Sequence, residues 1–285
     1  MNDAILTYHR NPFGCGVAKF NVQLSQKLGI PCGGFTMTAA LPLVSIKPSE
    51  IPAHEFPQFS SPYDLFLHDW QDTSRNRLWL RDARKVYAGN EVIWRQVQEL
   101  QTDAQLAWCP ATVTGNGTRG TFSVLLFGMG HKVRPQRLEQ LKALLTGRDY
   151  TVHVSTAVHE GNPWDEAFSA TETTLRAVFG DRLRLLGYLA DDGLVEQLRR
   201  CHVAALFFDP AARANNTTLW AAMEQRAAVI TNLDEHSPSE LVHGETVLDI
   251  DRTTNLLGWS LDALGYRAAR AVTGKSWEAL LQVLR

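Results

Sequence analysis

Short apolar runs alternate with amphipathic stretches from one end of the chain to the other. Ala4–Tyr8 (AILTY) reads as a strand, and a glycine-containing turn, Asn11–Gly16, follows it. Val17–Leu28 then places Val17, Phe20, Leu24 and Leu28 at helical spacing, and Gly29 and Pro31 stop it. Tyr63–His68 (YDLFLH) and Lys85–Ala88 are further strands, Glu91–Leu100 is helical, and Gln105–Cys109 is extended again. The alternation restarts at Phe122–Phe127 (FSVLLF), followed by a helix over Pro135–Leu145 with proline at its start, where the missing N–H is not needed. Strands are expected at Thr151–Ser155, Leu183–Gly187, Val203–Phe208, Ala228–Thr231 and Val247–Ile250. Helices are expected at Asp165–Phe179, Asp191–Arg200 and Thr217–Gln225, and two more close the chain. Continuous apolar strands separated by helices of this kind predict parallel sheets covered on both faces.

Between the two series lies Thr112–Gly120 (TVTGNGTRG), whose three glycines and three threonines favour turns over a core. The boundary is placed there, giving domains 1–116 and 117–285, each large enough for one Rossmann-like unit. The expected class is α/β, two Rossmann-like domains facing a cleft.

Composition narrows the function classes. A net charge of −2 over 285 residues carries no basic excess, which disfavours nucleic acid and anionic membrane as partners. No apolar run approaches the roughly 20 residues of a membrane span, and the N-terminus runs straight into a strand, so a cytoplasmic location is expected. Cys15, Cys32, Cys109 and Cys201 are scattered without a CxxC pair, which gives neither a disulfide framework nor a zinc site. No metal-ligand set is read, and no cofactor is expected.

In open α/β sheets ligands bind beyond the carboxyl ends of the strands, so the loops after strands hold the candidates. In Asn11–Gly16 (NPFGCG), Gly14 and Gly16 let backbone approach a ligand at a helix start; the same residues suit a tight turn. Lys19 stands where a GxGxxG motif needs its last glycine. Gly128–Lys132 (GMGHK) offers Lys132 as a point charge for phosphate, or a surface lysine on a turn. Ala211–Thr218 (AARANNTT) opens a helix with Asn215, Asn216, Thr217 and Thr218 in a row and Arg213 nearby, more polar groups than one cap needs. A diphosphate suits that surplus. His68-Asp69 ends a strand and suits proton transfer, although neighbours on a strand face opposite ways.

The stretch Phe207–Ile250 resembles the donor-binding domain of GT-B glycosyltransferases, especially the large retaining family numbered four. The pieces are Phe207–Pro210, the polar loop, the helix Leu219–Gln225, the strand Ala228–Asn232, Pro238 and the turn His243–Ile250 (HGETVLDI). Gly128–Lys132 and the N-terminal glycine loop are similar to the family's corresponding segments. The family's paired glutamates fall at Arg213 and Ala221, and its arginine at Met129, so the donor site is remodelled.

What the resemblance implies is a metal-independent glycosyltransferase that moves a sugar from a nucleoside-diphosphate sugar to an unidentified acceptor. The nucleotide sugar is then a substrate, not a cofactor. The leaving diphosphate would sit on the Thr217–Thr218 helix start with Lys132 and Arg213, the base against Tyr188, and the acceptor in the first domain. His68 or Asp69 would serve as the base of an inverting reaction. A nucleotide-sugar hydrolase or epimerase, or a non-catalytic nucleotide-sugar-binding subunit, are the alternatives. The sugar, the stereochemistry and the oligomeric state are left open.

Overall fold

The structure, a computed structural model, describes residues 2–57, 59, 62–111, 122–129, 133–157 and 164–284. The chain forms two compact units: Met1–Pro110 with Arg213–Asn215 and Trp277–Arg285, and Ala111–Ala212 with Asn216–Ser276. The expected boundary at 116/117 lies outside the described residues. No helix among the described residues is long and apolar enough to cross a membrane.

Unit 1 is built on six parallel strands: β1 (Ala4–Leu6), β2 (Cys32–Gly33), β3 (Pro42–Ile46), β4 (Tyr63–Leu67), β5 (Ala83–Ala88) and β6 (Gln105–Leu106). They run in the order β2-β1-β3-β4-β5-β6. Every residue of β1, β3 and β4 is buried, as expected of a sheet covered on both faces. Side chains alternate between the two layers. Val44, Ile46, Leu65 and Leu67 join a cluster centred on Trp79, which is also packed by Phe35, Phe56 and Phe59. Leu43 and Phe66 face the other way, toward Phe20 and Leu24 of α1 (Gly16–Leu28).

That second layer also receives the end of the chain. The last helix of the sequence (Trp277–Val283) lies against α1, with Trp277 stacked on Phe20 at 5.5 Å, and Leu280 and Leu284 fully or nearly buried. Tyr87 donates its hydroxyl to the Leu284 carbonyl at 3.4 Å. The C-terminal residues are therefore part of the first unit's core.

Unit 2 holds β7 (Ser123–Met129), β8 (Thr151–Ala157), β9 (Leu183–Gly187), β10 (Val203–Ala205), β11 (Ala228–Thr231) and β12 (Leu248–Asp249), also all parallel. Their order is β12-β11-β10-β7-β8-β9. Three consecutive strands extend one way from β7 and three the other way from β10, the doubly wound arrangement of a dinucleotide-type sheet. The strand expected over Val203–Phe208 stops at Ala205. Leu206 makes one more ladder bond, to Ile230 O at 2.9 Å, before the chain turns into a side-chain-held loop.

Candidate functional site

Both sheets have a topological switch point, and the expected loops lie at both. In unit 2 the order reverses between β7 and β10, so the carboxyl ends of these strands flank the crevice where ligands bind in such sheets. The strand expected to end at Phe127 runs on to Met129, so Gly128, at φ +130°, a conformation L side chains rarely adopt, lies inside β7 and not in the loop after it. A Cβ on Gly128 would meet Thr218 Cγ2 at 4.0 Å, so this end of β7 lies against the helix that follows the β10 loop. That helix, α2 (Thr217–Glu224), starts after Asn216 with no side-chain cap hydrogen bond and no acidic residue in its first turn. Its first turn therefore presents N–H groups and the positive end of the helix dipole beside the bare backbone of Gly128.

The path of the β10 loop is set by one residue the sequence did not single out. Asn232, just beyond β11 and 5% exposed, accepts the Phe208 N–H through Oδ1 at 2.9 Å. Its amide donates to Phe208 O at 3.0 Å and Pro210 O at 2.9 Å, and its carbonyl accepts Ala212 N–H at 3.1 Å. Asparagine fits because the loop offers one donor and two acceptors, which only a side chain carrying both functions satisfies.

The expected donor residues divide between the units. Asn216, Thr217 and Thr218 stand half-buried at the start of α2 in unit 2. Arg213 and Asn215 belong to unit 1, where Arg213 is 7% exposed and Asn215 donates to the His68 carbonyl at 2.7 Å. Cys109 N–H to Ala214 O, at 3.4 Å, holds the same segment. Tyr188 follows the edge strand β9 with an exposed ring, its hydroxyl raised above the ordinary tyrosine range by partial desolvation and the Asp191 charge. Lys132, with Gly130 and His131, lies outside the described residues.

In unit 1 the order reverses between β1 and β3. After β1, Asn11 folds the glycine loop: its side chain accepts Phe13 N–H at 3.0 Å and its carbonyl accepts Gly14 and Cys15 N–H. Gly14 is buried and Gly16 opens α1; neither holds a positive φ, so the turn itself does not demand glycine there.

His68 ends β4 fully enclosed. Its ring lies between Phe20 and Phe66, with Nε2 at 3.0 Å from Ser45 Oγ and Nδ1 at 3.5 Å from Cys109 Sγ. Ser45 donates to Asn21 Oδ1 at 2.6 Å, and Asn21 donates to Thr7 Oγ1 at 3.0 Å. With the Ser45 proton spent on Asn21, Nε2–H donates to Ser45 and Nδ1 faces the Cys109 thiol. Burial pushes the imidazole well below its usual range, and Lys47 and His9 add to the effect.

A neutral buried histidine makes stability depend on pH. The unfolded chain takes up this proton below about pH 6.5 and the folded one does not, so stability is full above 6.5 and falls as pH falls. Between pH 6.5 and 5.5 the wild type should lose about 1 kcal/mol more than His68→Gln, measured by urea melts at the two pH values. Equal losses would show that the ring is not held neutral.

Asp69 points differently. It is half-buried and accepts the Ser49 hydroxyl and, at 3.5 Å, the Ser49 N–H. Burial raises its carboxyl despite those bonds and the nearby Lys47. Ser49, Lys47 and Glu50 follow β3, a strand the sequence pattern did not show, so this flank of the site was missed with it.

Two parallel doubly wound units of this topology are the fold of the GT-B glycosyltransferases. The chain is similar over its whole length to Anabaena HepE, solved in complex with UDP (TM-score 0.67, 13% identity, 100% of this chain and 98% of that one). It is similar to a glycosyltransferase from Rickettsia africae (0.64, 12%, 99% and 96%). It also resembles the sucrose-phosphate synthase of Thermosynechococcus elongatus (0.60, 14%, 92% and 74%). No protein-family model and no curated protein matches the chain. At such identities the likeness is one of fold.

Proposed function

We propose that the protein is a glycosyltransferase that takes a sugar from a nucleoside-diphosphate sugar, with the donor on unit 2 and the acceptor on unit 1. The observation that carries this is the switch point of unit 2, where Gly128 lies against Thr218 at an uncapped helix start. Backbone N–H groups and a helix dipole beside a glycine suit a diphosphate. The fold it shares with HepE, a protein solved with UDP, supports the same ligand class.

In this reading an acceptor hydroxyl oxygen attacks the sugar's anomeric carbon. The bond from that carbon to the diphosphate oxygen breaks, and its electron pair leaves with the nucleotide. The charge that develops is met by the Thr217–Thr218 helix start and Lys132, with no metal in that role. Asp69 takes the acceptor proton; its desolvation raises its affinity for a proton. His68 acts through position: its carbonyl holds Asn215, and its buried ring fixes the strand end that carries Asp69. Tyr188 is the stacking surface for the base.

Nucleoside diphosphate release, followed with and without acceptors, tests the reading. Transfer predicts release that rises with acceptor and falls by roughly 10²-fold or more in Asp69→Asn. Release that is indifferent to every acceptor would favour hydrolysis of the donor.

A further inference from the structure

The second switch point carries more than Asp69. Lys47 follows β3 directly, and its ammonium lies 2.9 Å from Glu50 Oε1. The other Glu50 oxygen is 3.5 Å from Nδ1 of His9, which sits just beyond β1 and is 4% exposed. Ser49, on the same turn as Glu50, bonds Asp69 beyond β4. Three adjacent strands thus end in one cluster whose members come from different loops. Local turn chemistry does not require this: the His9–Glu50 contact crosses the reversal point from the β1 loop to the β3 loop, and the Ser49–Asp69 contact spans 20 residues.

The charge pattern selects among ligands. The cluster's one lysine is already paired with Glu50, and Asp69 adds a second carboxylate. Arg10 turns its guanidinium toward Gly34, past β2 and away from β3, and Arg75, the arginine beside the cluster, donates its guanidinium to the Ile51 carbonyl. A phosphate or carboxylate arriving here would have to pull Lys47 from Glu50 and sit beside two carboxylates. Hydroxyl groups face no such cost, since each can donate to Glu50 or Asp69 and accept from Lys47 or Ser49. On this ground, and resting on the transferase reading above, we infer that the acceptor is a neutral polyhydroxylated molecule, a carbohydrate without a charged group, gripped by His9, Lys47, Ser49 and Glu50 beside Asp69.

The test is direct binding, by saturation-transfer NMR and calorimetry on the full chain. The probes are glucose, maltose and cellobiose, with glucose 6-phosphate as the anionic counterpart, each with and without UDP. The account expects at least one neutral sugar to bind more tightly than glucose 6-phosphate. It expects Glu50→Gln and Lys47→Met, checked for folding by circular dichroism, to weaken that binding about tenfold, the loss typical of one charged hydrogen bond. Tighter binding of the sugar phosphate, no binding of any neutral sugar, or neutral-sugar binding unchanged in both variants would each overturn it. UDP binding is read separately in the same samples. Its absence strikes the transferase reading, while the ranking of neutral against charged sugars still decides the acceptor class.

Discussion

Replacing Asn232 by alanine should cost about 3 kcal/mol of stability and remove nucleotide binding together. Three hydrogen bonds disappear at once, and the Phe208 N–H, Phe208 O and Pro210 O that they served are left without them on the loop after β10. Asn232→Asp separates packing from chemistry. It has nearly the same shape and keeps the acceptor for Phe208 N–H, but it turns a carboxylate oxygen on two carbonyls. The account expects the aspartate to be at least as damaging as the alanine in thermal melts. An aspartate variant that melts and binds like the wild type would show that the loop holds itself.

The second large effect is at Gly265, in helix α3 (Leu261–Ala271). Within a helix, glycine to alanine ordinarily stabilises by up to about 1 kcal/mol. Here a Cβ would stand 2.1 Å from the Arg226 carbonyl oxygen and 2.8 Å from its carbonyl carbon. That backbone is not free to yield. Arg226 already sits at φ 60°, and the turn is tied by Arg226 N–H to Met223 O at 3.0 Å and Ala227 N–H to Ala222 O at 3.2 Å. The helix must move off the turn and open the packing around Leu264, so Gly265→Ala should destabilise by about 3 kcal/mol. A fall in melting temperature of roughly 5–10 °C follows. A rise on this substitution would mean that α3 does not pack as described.

What the sequence made legible follows from how strong each local signal was. β7 and β11 are built on continuous apolar runs, Val124–Phe127 and Ala228–Ile230, and they form where the pattern put them. The same logic, that ligands lie beyond strand ends, picked out the carboxyl ends of β7 and β10, and the topology sets these two strands side by side at the reversal of the sheet. β3 was not visible: PLVSI opens on Pro42 in a stretch that also holds Pro31, Pro48, Pro52 and Pro57, which reads as loop. Proline is tolerated at the first residue of a strand, so the stretch misleads. With β3 went Lys47, Ser49 and Glu50.

Other features carry no local signal at all. The closing helix over 277–283 has an apolar face that says only that it is covered, not that Phe20 and Tyr87 of the first unit cover it. Asn232 looks like any polar residue after a strand. Arg213 and Asn215 read as members of one polar loop with Thr217, yet the chain passes them into unit 1 and returns at Asn216. A run of polar residues shows that partners exist, not which side of the chain supplies them.

The central claim, that the unit 2 switch point is a nucleoside-diphosphate site, is tested most directly by thermal melting. The panel is UDP, other nucleoside diphosphates and their sugars, against the wild type and Gly128→Val. A nucleotide at 100 times its dissociation constant should add roughly 2.7 kcal/mol to the wild type. Valine at φ +130° beside Thr218 should blunt that response, whatever it does to the starting temperature. A wild type that no nucleotide shifts, or a Gly128→Val that responds as strongly as the wild type, would contradict the claim.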